Sequence, residues 1–340
     1  MKQPFFTLIT PVYNIERLIA ATIESALSQT FTDWEMILVD DGSPDNAGKI
    51  CDEYAAKDER IKVVHKANEG LAEARNVGIR NATGKYFIIF EGSDLFPDAD
   101  TLEKIHNDLK DKKYDIYFGK LQDVLEGSGK IVGEQADYCV SGEFIAGGKR
   151  LFVTLCDNNA DLLAISSPVN KVFRTDFVKG NDLWFCKGIY FDDDEWLPRA
   201  ISLSEKCYFT NDIIYNALTW DGCLGQAVSE KSLTKKGCDK MFIARRCIND
   251  VYARFKNDGS PFMKKYTEYY VRMYIDGACA LNKVHDEDFR AKINQSIKDN
   301  ADVFNYMKNC ESRNLRVLGK IRKLLGLKVA VKMLLRRYKA

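Results

Sequence analysis

The sequence lacks several features that mark large protein classes. It has no uninterrupted run of about 20 apolar residues, the length a membrane-spanning helix requires. Its ten cysteines include no C-x-x-C pair, which argues against a zinc site and against a small disulfide scaffold. No G-x-G-x-x-G follows the first apolar segment and no G-x-x-x-x-G-K-[ST] is present, so dinucleotide-binding and P-loop functions lose support. A net charge of +1 gives no global attraction to nucleic acid.

The composition is that of an ordinary globular protein, with 46% hydrophobic and 29% charged residues. A chain of 340 residues is long for one core, which predicts a domain of about 200–250 residues plus an appendage. The scattered cysteines favour reduced thiols in a cytosolic protein. Because Met1-Lys2-Gln3-Pro4 leads directly into a predicted strand, no room is left for a signal peptide. We therefore expect a cytoplasmic location.

Three strand-like segments that end in polar residues are the most informative feature of the chain. They run into Pro11-Val12-Tyr13-Asn14, into Asp40-Asp41-Gly42-Ser43 and into Glu91-Gly92-Ser93-Asp94. Helical periodicity separates them, which predicts parallel strands whose polar ends share one edge of a sheet. Ligands of open α/β sheets bind at that edge. The pattern therefore predicts a site for a polar ligand that carries phosphate and metal.

Beyond about residue 121 the periodicity becomes irregular. The pattern predicts a hairpin over 127–133, helices over 143–157 and 193–200, a strand over 168–173, a pair of short strands over 206–215, and three successive helices over 238–256, 262–282 and 287–308.

The C-terminal segment is basic and amphipathic. From Arg313 onward it holds ten Lys or Arg residues and no acid, and its apolar stripe changes phase at Gly326. Two short helices are therefore predicted. The segment 313–339 has two open interpretations, an anionic membrane surface as partner or packing on its own domain with a solvated basic face. Nucleic acid is disfavoured as a partner because only Tyr338 offers an aromatic ring for stacking.

The residue types at the sheet edge indicate the ligand chemistry. Asp40 and Asp41 can accept hydrogen bonds from uracil N3–H or ribose hydroxyls, whereas a carboxylate approaches phosphate only through a metal. Glu91 and Asp94 supply the hard oxygens that Mg²⁺ and Mn²⁺ prefer. A D-D-G-S turn alone is more typical of a capping loop, but its place beside the two other loops favours a nucleotide site.

Four motifs carry a family resemblance. Thr10-Pro11-Val12-Tyr13-Asn14, Val39-Asp40-Asp41-Gly42-Ser43, the segment 70–78 (GLAEARNVG) and Gly84-Lys85-Tyr86 resemble the family 2 glycosyltransferases with the GT-A fold. The likeness continues more weakly over 170–174 and 190–196 and fades beyond about residue 225.

The resemblance implies an α/β GT-A fold, a Rossmann-like, mostly parallel central sheet with helices on both faces, plus a C-terminal helical appendage. The expected domains are a glycosyltransferase domain over 1–225, a helical region over 238–310 and a basic amphipathic tail over 311–340. Within the first, 1–120 would bind the nucleotide-sugar and 121–225 the acceptor.

The resemblance also implies roles for individual residues. Pro11, Tyr13, Asp41 and Arg75 match positions that hold the uridine, with Asp40 as the alternative to Asp41 and with Glu91 also expected at the nucleotide-sugar. Arg75 is expected near the diphosphate, although a structural role in its helix remains open.

Asp193 matches the general base of the family, and Asp192 stands where Glu is usual. The four adjacent carboxylates from Asp192 to Glu195 repel one another, which would raise the pKa of at least one of them and favour a proton-accepting role. The alternative is an exposed first turn of a helix, favoured by the helix dipole.

Two departures from the family pattern concern the leaving group. The metal motif, commonly D-S-D-D, is here Glu91-Gly92-Ser93-Asp94, so Ser93 replaces a metal-binding Asp. Three outcomes are open: a divalent cation (Mn²⁺ or Mg²⁺) shifted onto Asp94, which we favour, a weakened metal dependence, or a non-catalytic protein. The segment 220–223 also lacks a basic residue that relatives often carry near the diphosphate, and Lys231, Lys235 and Lys236 are the candidates to compensate for it.

These expectations combine into one functional hypothesis. The chain is expected to transfer a sugar from a UDP-sugar to a hydroxyl of a glycan or lipid-linked saccharide, with inversion, in capsular, exopolysaccharide or other cell-surface glycan assembly at the inner face of the membrane. The alternative is a non-catalytic nucleotide-sugar-binding accessory subunit. A sugar-1-phosphate nucleotidyltransferase is disfavoured because the segment 11–17 is not a Gly-rich basic loop.

Overall fold

Among the residues that the structure describes, a sheet of nine strands organises the first of two units into which the chain divides. The computed structural model describes residues 3–138, 140–145, 147–157, 167–219, 229–255 and 258–337. The first unit comprises 1–151, 157–188 and 192–225, and the second comprises 152–156, 189–191 and 226–340. The strands in chain order are β1 (Phe6–Val12), β2 (Trp34–Asp40), β3 (Ile61–His65), β4 (Tyr86–Ile89), β5 (Ile116–Leu125), β6 (Lys130–Glu134), β7 (Gly142–Phe144), β8 (Lys171–Arg174) and β9 (Cys207–Thr219).

The sheet has the order β3-β2-β1-β4-β8-β5-β9-β7, with β6 paired to β5 outside this path. Strands β1 to β4 pair in parallel, as do β5 and β9, whereas β8, β7 and β6 pair antiparallel with their neighbours. Both β1 and β2 are buried along their whole length, as expected for central strands covered on both faces. The predicted α/β architecture is confirmed.

Five helices among the described residues of the first unit lie where the periodicity predicts helices. They are α1 (Ile19–Leu27), α2 (Ala47–Ala55), α3 (Leu71–Asn81), α4 (Thr101–Leu109) and α7 (Asp192–Leu203). Helix α5 spans Gly148–Asp157, and α6 (Thr175–Gly180) was not predicted. Helix α3 lies unusually close to β1, since a Cβ on Gly78 would stand 2.1 Å from Cγ2 of Ile9. It begins after Gly70, whose φ of 90° favours glycine. This packing brings the side of α3 that carries Arg75 to the sheet.

Several predicted elements between 143 and 215 were wrong in extent or type. The pair of short strands predicted over 206–215 is one strand, β9, whose neighbour β5 extends to Leu125. The two pair with each other through register shifts near Lys120. The helix expected from 143 starts only at Gly148, because Gly142–Phe144 pairs with β9. Strand pairing between distant segments overrides the local pattern here.

The second unit is helical. Its helices are α8 (Glu230–Arg254), α9 (Pro261–Cys279), α10 (Glu287–Asp299), α11 (Val303–Tyr306), α12 (Arg313–Leu325) and α13 (Leu327–Arg337). Helices α8 and α9 cross at Gly237 and Gly277, where a Cβ on Gly277 would stand 2.5 Å from the Gly237 oxygen. The single helix predicted over 287–308 is interrupted after Asp299. The predicted break at Gly326 is confirmed, and this residue has a φ of 85°.

Two further observations bear on the sequence-based expectations. Cys51, Cys207 and Cys310 are buried free thiols. Across the described residues, every helix is too short or too polar to cross a lipid bilayer.

Candidate active site

The three polar loops meet at one edge of the sheet. In the parallel register Val12 lies opposite Asp40, and the Asp41 N–H donates to the Val12 carbonyl at 2.9 Å. The loop after β4 lies beside β1, where the Phe90 N–H donates to the Ile9 carbonyl at 2.8 Å. The convergence expected from the alternating pattern is therefore observed.

A pocket of about 280 Å³ opens between these loops. The pocket is lined by five residues that were predicted to bind the nucleotide-sugar or the metal: Pro11, Tyr13, Asp41, Glu91 and Ser93. Asn68, Gly70 and Leu71 complete one side. The Tyr13 ring is half exposed, which leaves its face available to a flat ligand such as a base.

The two aspartates after β2 have different surroundings. Asp41 lines the pocket, and its carboxylate accepts hydrogen bonds from Lys66 Nζ at 2.5 Å and from the N–H groups of Glu69 at 3.0 Å and Gly70 at 2.8 Å. It therefore orders the loop that leads into α3.

The Asp40 carboxylate lies against His65 at 2.8 Å and accepts a bond from the Ser43 N–H at 2.9 Å. Burial acts to raise the pKa of Asp40, but these hydrogen bonds outweigh it and hold that pKa below its usual value. Of the two predicted alternatives, only Asp41 lines the pocket.

Arg75 joins three carboxylates in a buried ion network. Its Nη2 and Nε donate to Glu91 Oε1 at 2.7 and 3.1 Å, and its Nη1 donates to Asp193 at 2.5 Å and Asp192 at 3.1 Å. The Arg75 side chain is 4% exposed, whereas that of Asp193 is 32% exposed. The guanidinium thus connects Glu91, in the pocket wall, to the first turn of α7.

The network changes the proton affinity of its members. Burial raises the pKa of Asp193 to about 7, the Arg75 charge opposes this rise, and Asp192 and Glu91 add to it. Burial likewise raises the pKa of Asp192. A partly exposed carboxylate whose pKa lies near neutrality has the properties of a general base.

The Asp94 carboxylate points to the interior of the sheet. Tyr215 Oη donates to it at 2.8 Å and the Leu218 N–H at 3.0 Å, and burial raises the Asp94 pKa to about 7. Tyr215 Oη in turn accepts a bond from the Glu91 N–H at 3.1 Å. The favoured shift of a metal onto Asp94 therefore competes with bonds that this carboxylate already makes.

The donor set at the pocket nevertheless fits a hard cation. Within the part of the chain that the structure describes, no three His, Cys, Asp or Glu side chains gather as a metal cluster. Glu91 and Ser93 both line the pocket and offer oxygen atoms. Mg²⁺ commonly takes one or two protein carboxylates and completes its shell with water and substrate phosphates.

Sequence reasoning missed three contributors to this region. Tyr215 and Lys66 hold Asp94 and Asp41 as described above, and both lie outside the motifs. Lys171 lies in the segment 170–174 of the family resemblance, but that resemblance did not indicate that the Lys171 side chain would be buried. Its ammonium donates to the Asn170 side chain at 2.9 Å, and burial lowers the Lys171 pKa to about 7.

The three lysines expected to compensate, Lys231, Lys235 and Lys236, all lie on α8. The segment 220–223 lies outside the described residues. Lys235 forms an ion pair with Asp239 at 2.6 Å, within α8 of the second unit.

Known proteins share this arrangement of motifs. The glycosyl transferase family 2 model matches residues 7–173. The glycosyltransferase GlyG of Streptococcus pneumoniae serotype 4 is 31% identical over 214 residues, which cover 62% of this chain and 69% of GlyG. The chain belongs to glycosyl transferase family 2. An uncharacterized glycosyltransferase of Bacillus subtilis, EpsJ, is 42% identical over 113 residues, or 33% of each chain. For EpsJ, the alignment thus spans a third of the relative's length.

Solved structures agree on the fold. A crystal structure of S. aureus TarS, residues 1–349 in complex with UDP-GlcNAc, matches 98% of this chain and 91% of its own with a TM-score of 0.69 and 18% identity. The mannosyltransferase PcManGT of Pyrobaculum calidifontis, in complex with GDP-Man and Mn²⁺, matches with a TM-score of 0.50 and 14% identity. The protein is a glycosyltransferase with the GT-A fold.

Proposed function

We propose that this glycosyltransferase transfers a sugar from a UDP-sugar to an acceptor hydroxyl with inversion at the anomeric carbon. The observation that carries the proposal is the link between the pocket and the acidic turn of α7. Glu91 lines the pocket, Arg75 binds Glu91, and the same guanidinium binds Asp193. A nucleotide site and a candidate base are thus joined by one buried side chain.

In this proposal the residues of the pocket orient the donor. Asp41 accepts a hydrogen bond from uracil N3–H, with Tyr13 and Pro11 against the base. In-line displacement requires the acceptor oxygen to approach the face of the sugar opposite the departing UDP. Asp193 takes the proton of that hydroxyl as the new bond forms, and it can do so only when ionised.

In this proposal Arg75 acts on Asp193, and its expected place near the diphosphate stays a prediction. All three of its donor nitrogens already bond to carboxylates. Its charge favours the ionised form of Asp193 and so keeps part of the base population active near neutral pH.

We propose Mn²⁺ or Mg²⁺ as the cofactor, held by Glu91 and Ser93, with Asp94 as the predicted further ligand. When bound, such an ion stabilises the negative charge that develops on the departing diphosphate. Ser93 is a weaker ligand than the usual Asp, so we expect a lower affinity for the ion than a full D-x-D motif provides.

The proposed context is assembly of a cell-surface glycan, in the cytoplasm at the inner face of the membrane, on a glycan or lipid-linked acceptor. Two observations on similar proteins support the proposal. TarS was crystallised with UDP-GlcNAc, which supports a UDP-sugar as donor, and GlyG is named a glycosyltransferase, which supports sugar transfer. The second candidate, a non-catalytic accessory subunit, is favoured by Ser93 and by the pairing of Glu91 with Arg75.

Calorimetric titration tests the donor class directly. UDP, GDP and CDP are titrated, with and without Mn²⁺, into wild type and into the Asp41→Asn variant. The matched control is Asp45→Asn, because Asp45 lies in the same loop but does not line the pocket. We expect UDP to bind at least tenfold more tightly than GDP, and Asp41→Asn to lose that preference. Equal or tighter binding of GDP would overturn the proposed donor. The anomeric configuration of the product, from the NMR coupling of its anomeric proton, tests inversion.

A further inference from the structure

The two C-terminal helices carry positive charge that the rest of their unit does not neutralise. Between Arg313 and Arg337 there are nine Lys or Arg residues and no Asp or Glu. None of the eight basic side chains that the structure describes between Arg313 and Arg336 forms an ion pair with a carboxylate of the described residues. Arg316 and Arg322 donate instead to the Cys310 carbonyl at 2.8 Å and to Asn305 Oδ1 at 2.6 Å.

The same two helices expose large apolar side chains. Leu324 is 79% exposed and Leu325 is 61% exposed, at the end of α12 next to Gly326. Val317, Val329 and Met333 are also exposed. A groove of about 410 Å³ between α12 and α13 is lined mainly by apolar residues, among them Val317, Ile321 and Met333.

Other side chains of the helical pair are packed. Leu315, Leu318, Ala330 and Leu334 are buried, and Leu318 and Leu334 also line the groove. Gly319 lies so close to the preceding segment of its unit that a Cβ there would stand 3.0 Å from Cβ of Met307. The pair is therefore held in place by its buried side chains. Of the two interpretations left open by the sequence, these contacts support packing on its own domain, and the other stays a prediction.

We propose that the exposed face of α12 and α13 docks on an anionic phospholipid surface. Leu324 and Leu325 enter the boundary between headgroups and acyl chains, while the surrounding lysines bind lipid phosphates. Charge complementarity argues for this occupant. Nine basic residues with no acid suit a uniformly anionic plane, and exposed leucines beside lysines suit its apolar interior. The inference goes beyond the proposed transfer reaction and does not depend on it.

Vesicle flotation of the full chain tests the proposal without any nucleotide-sugar, so its failure is distinct from failure of the proposed function. The vesicles are pure phosphatidylcholine, or phosphatidylcholine with about a third phosphatidylserine. We expect binding to the anionic vesicles alone, and its release in high salt, because each basic residue near the surface strengthens partitioning about fivefold.

Three variants locate the surface. Leu324→Asp with Leu325→Asp removes the apolar tip, and a quadruple Lys→Gln variant at 320, 323, 328 and 332 removes exposed charge. Each is expected to lower partitioning at least tenfold. The matched control is Ile131→Ser with Val132→Ser, which removes two residues that are 53% and 52% exposed on β6, and it should float like wild type. Circular dichroism checks that every variant is folded.

Three outcomes overturn the proposal: no flotation of wild type, equal binding to neutral vesicles, or wild-type flotation of both tail variants. Light scattering measures the oligomeric state and so tests whether a second copy of this chain occupies the surface instead. A wild-type dimer that the leucine variant converts to a monomer, with no vesicle binding by either, assigns the surface to a second copy of this chain.

Discussion

Replacing Arg75 by Met tests the ion network, because it leaves three carboxylates around an apolar side chain. Removing one partner of a buried ion network costs about 3–5 kcal/mol, and we expect about 3 kcal/mol at pH 8 because Asp193 and Glu91 keep some solvent contact. Without the guanidinium the folded-state pKa values of Asp192 and Asp193 rise further above their unfolded values. The loss of stability is therefore greatest at high pH and shrinks as these two carboxyls become protonated, to about 1 kcal/mol at pH 5.5.

Urea denaturation followed by tryptophan fluorescence measures this loss, since all four tryptophans lie within the ranges of the first unit. The control is Arg80→Met on the same helix, where an ion pair with Glu73 involves an arginine that is 46% exposed. This change should cost no more than about 1 kcal/mol at either pH. A cost for Arg75→Met that stays below 1 kcal/mol at pH 8, or that does not vary with pH, would refute the network as described.

Further predictions concern the proposed base Asp193, the packing of α3 against β1 at Gly78, and the hydrogen bonds of Tyr215. Asp193 is the proposed base and can accept a proton only when ionised, and its pKa is raised to about 7; kcat/KM for transfer should therefore rise with pH through about 7, and a flat profile from pH 5.5 to 8.5 would contradict this. Gly78→Ala should lower stability by about 1–3 kcal/mol through its clash with Ile9, whereas Gly180→Ala, with no atom near its added methyl, should have little effect in the same thermal denaturation assay. Tyr215→Phe should lower the free energy of unfolding by about 1–3 kcal/mol, because it removes a hydroxyl that makes two hydrogen bonds; a stability equal to that of wild type would show those bonds to be unimportant.

The sheet edge was predictable from sequence because its signals are local. Each strand is an apolar run followed at once by polar residues, and the pattern repeats with helices between. Parallel strands separated by helices place these ends together, so Asp41 and Glu91 were expected at one site and both line the pocket.

The arrangement inside the site depends on contacts between distant residues. Arg75 and Asp193 are 118 positions apart, so their bond could not be inferred from spacing. The same holds for Asp94, whose direction is set by Tyr215, 121 positions later. Strand β9 was misjudged for the same reason, because its continuity depends on pairing with β5 and β7.

The measurement that tests the central claim most directly is release of UDP from a panel of UDP-sugars by wild type, Asp193→Asn and Asp194→Asn. Each is assayed with Mn²⁺, Mg²⁺ or EDTA, with membrane extract as the acceptor source. We predict metal-dependent release by wild type and by Asp194→Asn, and a loss of at least a hundredfold in Asp193→Asn. UDP binding without turnover in wild type would contradict the account and favour the accessory subunit. Loss of turnover in Asp194→Asn but not in Asp193→Asn would assign the base to the neighbouring carboxylate.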